Sequence, residues 1–255
     1  MKLQNKIAVV TGGNSGIGFA TAQEFRAQGA RVIIIGRNPE AVAKAAREIG
    51  GDTLGVTADV SRVAEIDRAF QGIREKVGRV DVLFVNAGVA KFVPLSDSDE
   101  AVFDEMTDAN FKGAYFTVQR ALPLLTDGAS VIFTSTTAVH FGMPGASVYA
   151  AGKAALNSLA KTLAIELAPK KIRVNVVSPG PIATPIFDKM GLKRKRSRKS
   201  RQAFTPKCRW VVSVNLPRSR RRLLISLRTT APLSPAPNYS WMAAWRKAKR
   251  SRISK

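Results

Sequence analysis

The sequence predicts an α/β fold built on a parallel sheet covered on both faces, and two observations carry that expectation. Short apolar runs occur at Lys6–Val10, Arg31–Ile35, Thr53–Thr57, Asp81–Val85, Ser130–Thr134 and Arg173–Val177, and each of the first five is followed by a stretch able to form a helix. Such βαβ repetition needs crossover connections, which place helices on both faces and make the strands apolar throughout instead of alternating. No repeat of solenoid length is visible.

Composition divides the chain near Lys193. The whole carries 41 Lys+Arg against 18 Asp+Glu, but residues 1–192 hold all 18 acids and 21 of the basic residues, whereas 193–255 hold 20 basic residues and no acid. All 19 glycines also precede Lys193. The expected organisation is therefore a domain over 1–192, long enough for one sizeable core, and a basic tail over 193–255. A single cysteine, Cys208, excludes an internal disulfide framework. The N-terminal MKLQNKIAVVTGG has too short an apolar run for a signal peptide, and no segment approaches the roughly 18 apolar residues of a membrane span. A soluble, cytoplasmic protein with no membrane partner is expected.

The elements carry chemistry in order. The first strand runs into TGGNSGIG (Thr11–Gly18), ahead of an expected helix at Phe19–Gln28. Glycines at 12, 16 and 18 allow a sharp turn and close backbone approach to a pyrophosphate resting on the helix N-terminus. The second strand ends in IIIGRN, with Gly36 where an acid would hold a ribose 2′-hydroxyl, followed by Arg37, whose guanidinium can pair with a 2′-phosphate. Further along, Tyr149 and Lys153 lie four residues apart, on one face of a helix running towards Ala168. An ammonium near a phenol is expected to lower its pKa towards working pH, as a general acid/base requires. His140 has no partner for a metal site and is read as a loop or pocket-rim residue.

TGxxxGxG, then Asp59-Val60, NAG at Asn86–Gly88, NFKG at Asn110–Gly113, YAAGK at Tyr149–Lys153 and SPGPIATP at Ser178–Pro185 together resemble the classical short-chain dehydrogenase/reductase family, in order and in spacing, through nearly all of residues 4–192. The resemblance implies a Rossmann-type doubly wound sheet, a nicotinamide dinucleotide cofactor and hydride transfer between an alcohol and a ketone. It implies Tyr149 as proton donor, Lys153 as its partner and holder of the nicotinamide ribose, and Asn110 as support for a proton relay. The family serine position falls on Thr136, with Ser135 the alternative hydroxyl. Gly12, Asn14, Ser15, Gly16, Ile17 and Gly18 would hold the cofactor's pyrophosphate end, Asp59 and Val60 its adenine, and Asn86, Ala87, Gly88, Pro179, Gly180, Ile182 and Thr184 its ribose and nicotinamide end. NADP(H) is favoured over NAD(H) through Arg37. A small-molecule carbonyl or alcohol substrate and a homo-oligomer are expected, with no specific nucleic-acid partner.

The family's segments after residue 192 do not appear in frame. Reading the tail's degenerate codons from each third base permits V-P-M-G-R-F-G-x-P from Lys207 to Pro217, with a glycine forced by Trp210-Val211. It also permits a segment containing I-T-G-A-E-L-F-V-D-G-G within Ile225–Lys247, its Asp-Gly forced by Trp241-Met242-Ala243. Lys193 onward is therefore read as an out-of-frame translation, largely disordered, with six strands encoded, the seventh strand and pocket-covering helices missing, and the edge beside the sixth strand open. The alternative is a dinucleotide-binding scaffold fused to a nonspecific nucleic-acid- or anionic-membrane-binding tail.

Overall fold

The computed structural model describes residues 1–180 and the backbone of Val211–Ser213. The strands are β1 (Ile7–Thr11), β2 (Arg31–Gly36), β3 (Leu54–Thr57), β4 (Val80–Val85), β5 (Leu125–Thr134), β6 (Arg173–Ser178) and β7 (Val211–Ser213), and the helices are α1 (Gly16–Ala27), α2 (Pro39–Ile49), α3 (Val63–Val77), α4 (Glu100–Thr107), α5 (Gly113–Ala121) and α6 (Ser147–Glu166). The sheet order is β3-β2-β1-β4-β5-β6-β7. The first six strands pair in parallel, as a Rossmann-type doubly wound sheet requires.

β1 alternates between two cores. Val9 joins Ile33, Leu83, Val131 and Phe133 beneath α3, α5 and α6, where Ile66, Phe70, Val118 and Leu156 pack. Ala8 and Val10 face the other way, with Val32, Ile34 and Phe84 against Ala22 of α1 and Val42 of α2. Pro39 opens α2 behind Asn38, whose side chain accepts from the Ala41 N–H at 2.8 Å, and Gly78 ends α3 at φ 69°.

Beyond one-residue shifts at strand ends, three features differ from expectation. The first helix begins at Gly16 rather than Phe19, so Gly16 and Gly18 belong to its first turns. β5 begins at Leu125, because Leu125 pairs with Val80 before the register shifts and pairing resumes at Ser130 opposite Val82. β7 adds antiparallel to β6, pairing Val211 with Ser178 and Ser213 with Val176. An edge strand's free N–H and C=O groups accept such an extended segment, and the edge is covered at those positions. The remaining tail expectations, together with Ile182, Thr184 and Cys208, lie outside the described residues.

At the amino end of the strands, Asp81 ties three segments together. Its carboxylate accepts from the Ile7 N–H (2.9 Å), Lys6 Nζ (3.0 Å) and the Thr126 hydroxyl (3.3 Å). Burial pushes its pKa up, but these partners outweigh it and hold the carboxyl below its ordinary value. At the carboxyl end, chain order reverses between β1 and β4 and opens a crevice between their ends.

Candidate active site

The crevice is built from β1 outward. Gly12 sits at φ 65°, and a Cβ there would lie 3.0 Å from Ala87 Cα; one on Gly18 would lie 2.2 Å from the Gly12 carbonyl oxygen. These positions need glycine, and α1 can then start hard against the end of β1. Ser15 stands at the N-cap without bonding an amide through its side chain, and the first turn holds no acid. The turn is suited to receive an anion.

The neighbouring wall is locked by two threonines absent from the expected site. The Thr11 hydroxyl accepts from the N–H groups of both Asn86 (2.9 Å) and Ala87 (3.0 Å), while Asn86 Nδ2 donates to the Thr11 carbonyl at 3.2 Å. The Thr134 hydroxyl donates to Asn86 Oδ1 at 3.2 Å. Thr11 opens the glycine motif, so its position was visible; its double acceptor role depends on β4 lying alongside β1. Gly88 continues the wall, where a Cβ would lie 2.5 Å from Asn110 Oδ1 and 3.3 Å from Lys153 Nζ.

Gly36 ends β2 buried beneath Asn14, whose Oδ1 would lie 2.5 Å from a Cβ at that position, and Arg37 follows it exposed to solvent. Asp59 Oδ1 accepts from both the N–H (2.9 Å) and the hydroxyl (2.8 Å) of Ser61, and the Asp59 N–H donates to Glu65 Oε2 at 2.8 Å. The Val60 carbonyl packs on Gly113, where a Cβ would come within 2.3 Å.

On the opposite side, Tyr149 lies in the first turn of α6 and Lys153 one turn later. Lys153 is only 5% exposed, and its Nζ donates to the Thr134 carbonyl at 2.8 Å. Burial pushes the ammonium down to about 8. Burial raises the Tyr149 phenol above its ordinary value, and a hydrogen bond with the Thr136 hydroxyl works the other way. The expectation that Lys153 lowers the phenol's pKa is corrected: desolvation governs it here, and among the described residues the group that counteracts it is Thr136.

The two candidate hydroxyls separate. Ser135 is buried, and its Oγ donates to the Lys153 carbonyl at 3.0 Å. Thr136 meets Tyr149 and also accepts from the Ala138 N–H at 3.2 Å. Asn110, 1% exposed, sits in a π-helical turn (Asp108–Lys112) between α4 and α5. Its amide accepts from the Val89 N–H (3.0 Å) and donates to the Val89 carbonyl (2.9 Å). Pro179 and Gly180 follow β6 beside this group, the Pro179 carbonyl accepting from the Thr137 N–H at 3.0 Å. His140 is exposed, and among the described residues no cluster of potential metal ligands exists. No helix among the described residues is long and apolar enough to cross a membrane.

A glycine-rich strand-helix turn facing a Tyr-x-x-x-Lys helix across the switch point of a doubly wound sheet defines a class of α/β oxidoreductase. The family model described as short chain dehydrogenase matches residues 6–195. Oxidoreductase asL5 of Sarocladium schorii is 39% identical over 187 residues, 72% of this chain and 75% of its own length. The 3-oxoacyl-(acyl-carrier-protein) reductase FabG of Thermotoga maritima is 34% identical over 206 residues, 79% of this chain and 84% of its own. Among solved structures, a 3-ketoacyl-(acyl-carrier-protein) reductase from Brucella melitensis complexed with NADH superposes with TM-score 0.70 at 32% identity, covering 74% of this chain and 81% of that one. A short chain dehydrogenase from Burkholderia cenocepacia in complex with NADP gives 0.71 at 31% identity, covering 73% and 78%. The chain belongs to the short-chain dehydrogenase/reductase family of oxidoreductases.

Proposed function

We propose that the chain interconverts a small-molecule ketone and alcohol with a nicotinamide dinucleotide, NADP(H) in preference to NAD(H), using Tyr149 as general acid/base. The observation that carries this reading is the convergence of Tyr149, Thr136 and buried Lys153 on the crevice beside Gly88. The relatives complexed with NADH and NADP support the cofactor class. The glycine turn fits the group because α1 presents an uncapped N-terminus with no acid in its first turn.

Gly12, Asn14, Ser15, Gly16, Ile17 and Gly18 hold the pyrophosphate end, Asp59 and Val60 border the adenine, and Asn86–Gly88 with Pro179 and Gly180 line the ribose and nicotinamide end. Arg37 pairs with a 2′-phosphate, which is the source of the NADP(H) preference. When bound, the nicotinamide supplies or accepts the hydride. Thr136 donates a hydrogen bond to the substrate oxygen, and Tyr149 gives that oxygen its proton in reduction. A phenol raised by burial stays protonated and ready to act as the acid. Lys153, steadied by Thr134, keeps further N–H donors for the ribose hydroxyls and for the phenolate left after transfer. Asn110 positions this group by fixing Val89.

The catalytic unit is residues 1–192, with an out-of-frame sequence following; the family match ending at 195, beside the break in composition, supports this division. Partly exposed Phe111 and Tyr115, beside Leu159 and Leu163 of α6, offer an apolar face suited to a second copy.

NADPH oxidation by Tyr149→Phe tests the reading. Carbonyl reduction is expected to vanish while fluorescence titration shows NADPH binding nearly unchanged; undiminished turnover overturns the assignment.

A further inference from the structure

Three clamps hold the segment from Val89 to Val93. Asn110 bonds both the N–H and the carbonyl of Val89, and Lys91 is ion-paired with Glu105 of α4. The Val93 N–H donates to the Gly145 carbonyl at 2.9 Å. Gly145, at φ 76°, lets the two loops abut, since a Cβ there would lie 3.3 Å from the Phe92 carbonyl carbon. Between the clamps stands Phe92, half-buried, its ring edge-to-face with Tyr149 at a centroid distance of 6.1 Å and an angle of 74°. It is the only ring in such contact with Tyr149 among the described residues.

A carbonyl within hydrogen-bond reach of the Tyr149 hydroxyl brings its carbon substituents to the neighbourhood of the phenol, where the Phe92 ring stands. With the backbone fixed on both flanks, the point from which the ring projects beside Tyr149 is set. We propose that Phe92 is a specificity residue, a fixed apolar wall that favours a carbonyl bearing an aryl or other flat apolar substituent over one bearing a small or charged group. The proposal rests on the reading of Tyr149 as the acid/base. Aromatic pairs prefer the edge-to-face and offset geometries that this wall offers a flat ligand. A carboxylate there loses its water without gaining a counter-charge from Lys91, which Glu105 already engages.

The full chain, saturated with NADP+, is titrated with acetophenone, acetone and pyruvate by saturation-transfer NMR, and the same ketones are assayed for NADPH oxidation. Wild type, Phe92→Ala and Phe92→Leu are compared. Wild type is expected to bind acetophenone about ten-fold more tightly than acetone or pyruvate, on the scale of one aromatic contact plus the area it buries. Phe92→Ala removes most of that preference, weakening acetophenone far more than acetone or pyruvate, while Phe92→Leu keeps part of it and carries the test if the alanine variant does not fold. Equal loss for all three ketones means that Phe92 only positions Tyr149, and overturns the proposal. So does a wild type without preference, or a preference that survives in both variants. If no ketone is reduced by any form, the reductase reading fails, while the binding preference and its loss still decide the role of Phe92.

Discussion

Lys153 Nζ donates a 2.8 Å hydrogen bond to the carbonyl oxygen of Thr134, the last residue of β5, and that bond anchors an ammonium in a site where burial disfavours its charge.

The stability consequence has a definite sign. The pKa in the folded chain, about 8, lies below the free value of 10.5, so the unfolded chain binds more protons between these limits and stability rises with pH across them. Lys153→Met is expected to abolish reduction yet be at least as stable as wild type at pH 7. Wild type should gain on the variant by a few kcal/mol as pH approaches 10. Urea unfolding of both proteins at several pH values checks this; a difference independent of pH overturns it.

Thr136 and Ser135 should fail differently. Thr136→Ala removes the hydroxyl beside Tyr149 and is expected to lower turnover by about 10²-fold or more, with NADPH affinity nearly kept. Ser135→Ala loses a bond to the helix carbonyl of Lys153 and should cost about 1 kcal/mol of stability with turnover largely retained. Steady-state kinetics beside thermal unfolding separates the two, and the opposite pattern reverses the assignment.

On the proposed reading, cofactor choice turns on the neighbours Gly36 and Arg37. Arg37→Glu is expected to weaken NADPH by roughly ten- to hundred-fold relative to NADH, the range of a lost charge-assisted contact. Gly36→Asp is not expected to create an NADH enzyme by itself, because its Cβ would fall 2.5 Å from Asn14 Oδ1 and displace the glycine-rich turn. Both affinities should fall. Fluorescence titration with each cofactor reads the outcome, and equal affinities in wild type defeat the preference.

Asp81→Asn removes the charge that serves Lys6 and turns an amide N–H towards one of the donors. A loss of about 2–3 kcal/mol is expected. Because the Asp81 pKa is depressed in the folded chain, its contribution is full above the unfolded value near 3.8 and fades as pH falls through the folded value. Wild type and variant should therefore converge in strong acid, as denaturation across pH 2–7 would show.

Much of this was legible in the amino-acid order. β1, β2 and β4 were visible because strands buried on both faces are apolar at consecutive positions, whereas β3 and β6 alternate in burial, and the early start of β5 runs through the exposed Asp127-Gly128, which interrupts its apolar run. Tyr149 and Lys153 were legible because a helix converts a four-residue spacing into a shared face. Spacing favoured Thr136 over Ser135, but the environment of each was not legible: Thr136 has extended backbone (φ −154°, ψ 153°), so successive side chains there leave on opposite sides, and only the packed strands show that Ser135 turns to the Lys153 carbonyl. The phenol's response to burial and its contact with Phe92 depend on segments more than fifty residues apart, and no local pattern encodes them.

Asp81 binds the strand starts at one end of the sheet, while the glycine turn, Thr136, Tyr149 and Lys153 gather at the other. Anchorage and the proposed chemistry therefore occupy separate addresses. Loops around the crevice can be exchanged to accept new substrates without loosening the knot beneath them, and that separation leaves this scaffold room to diversify.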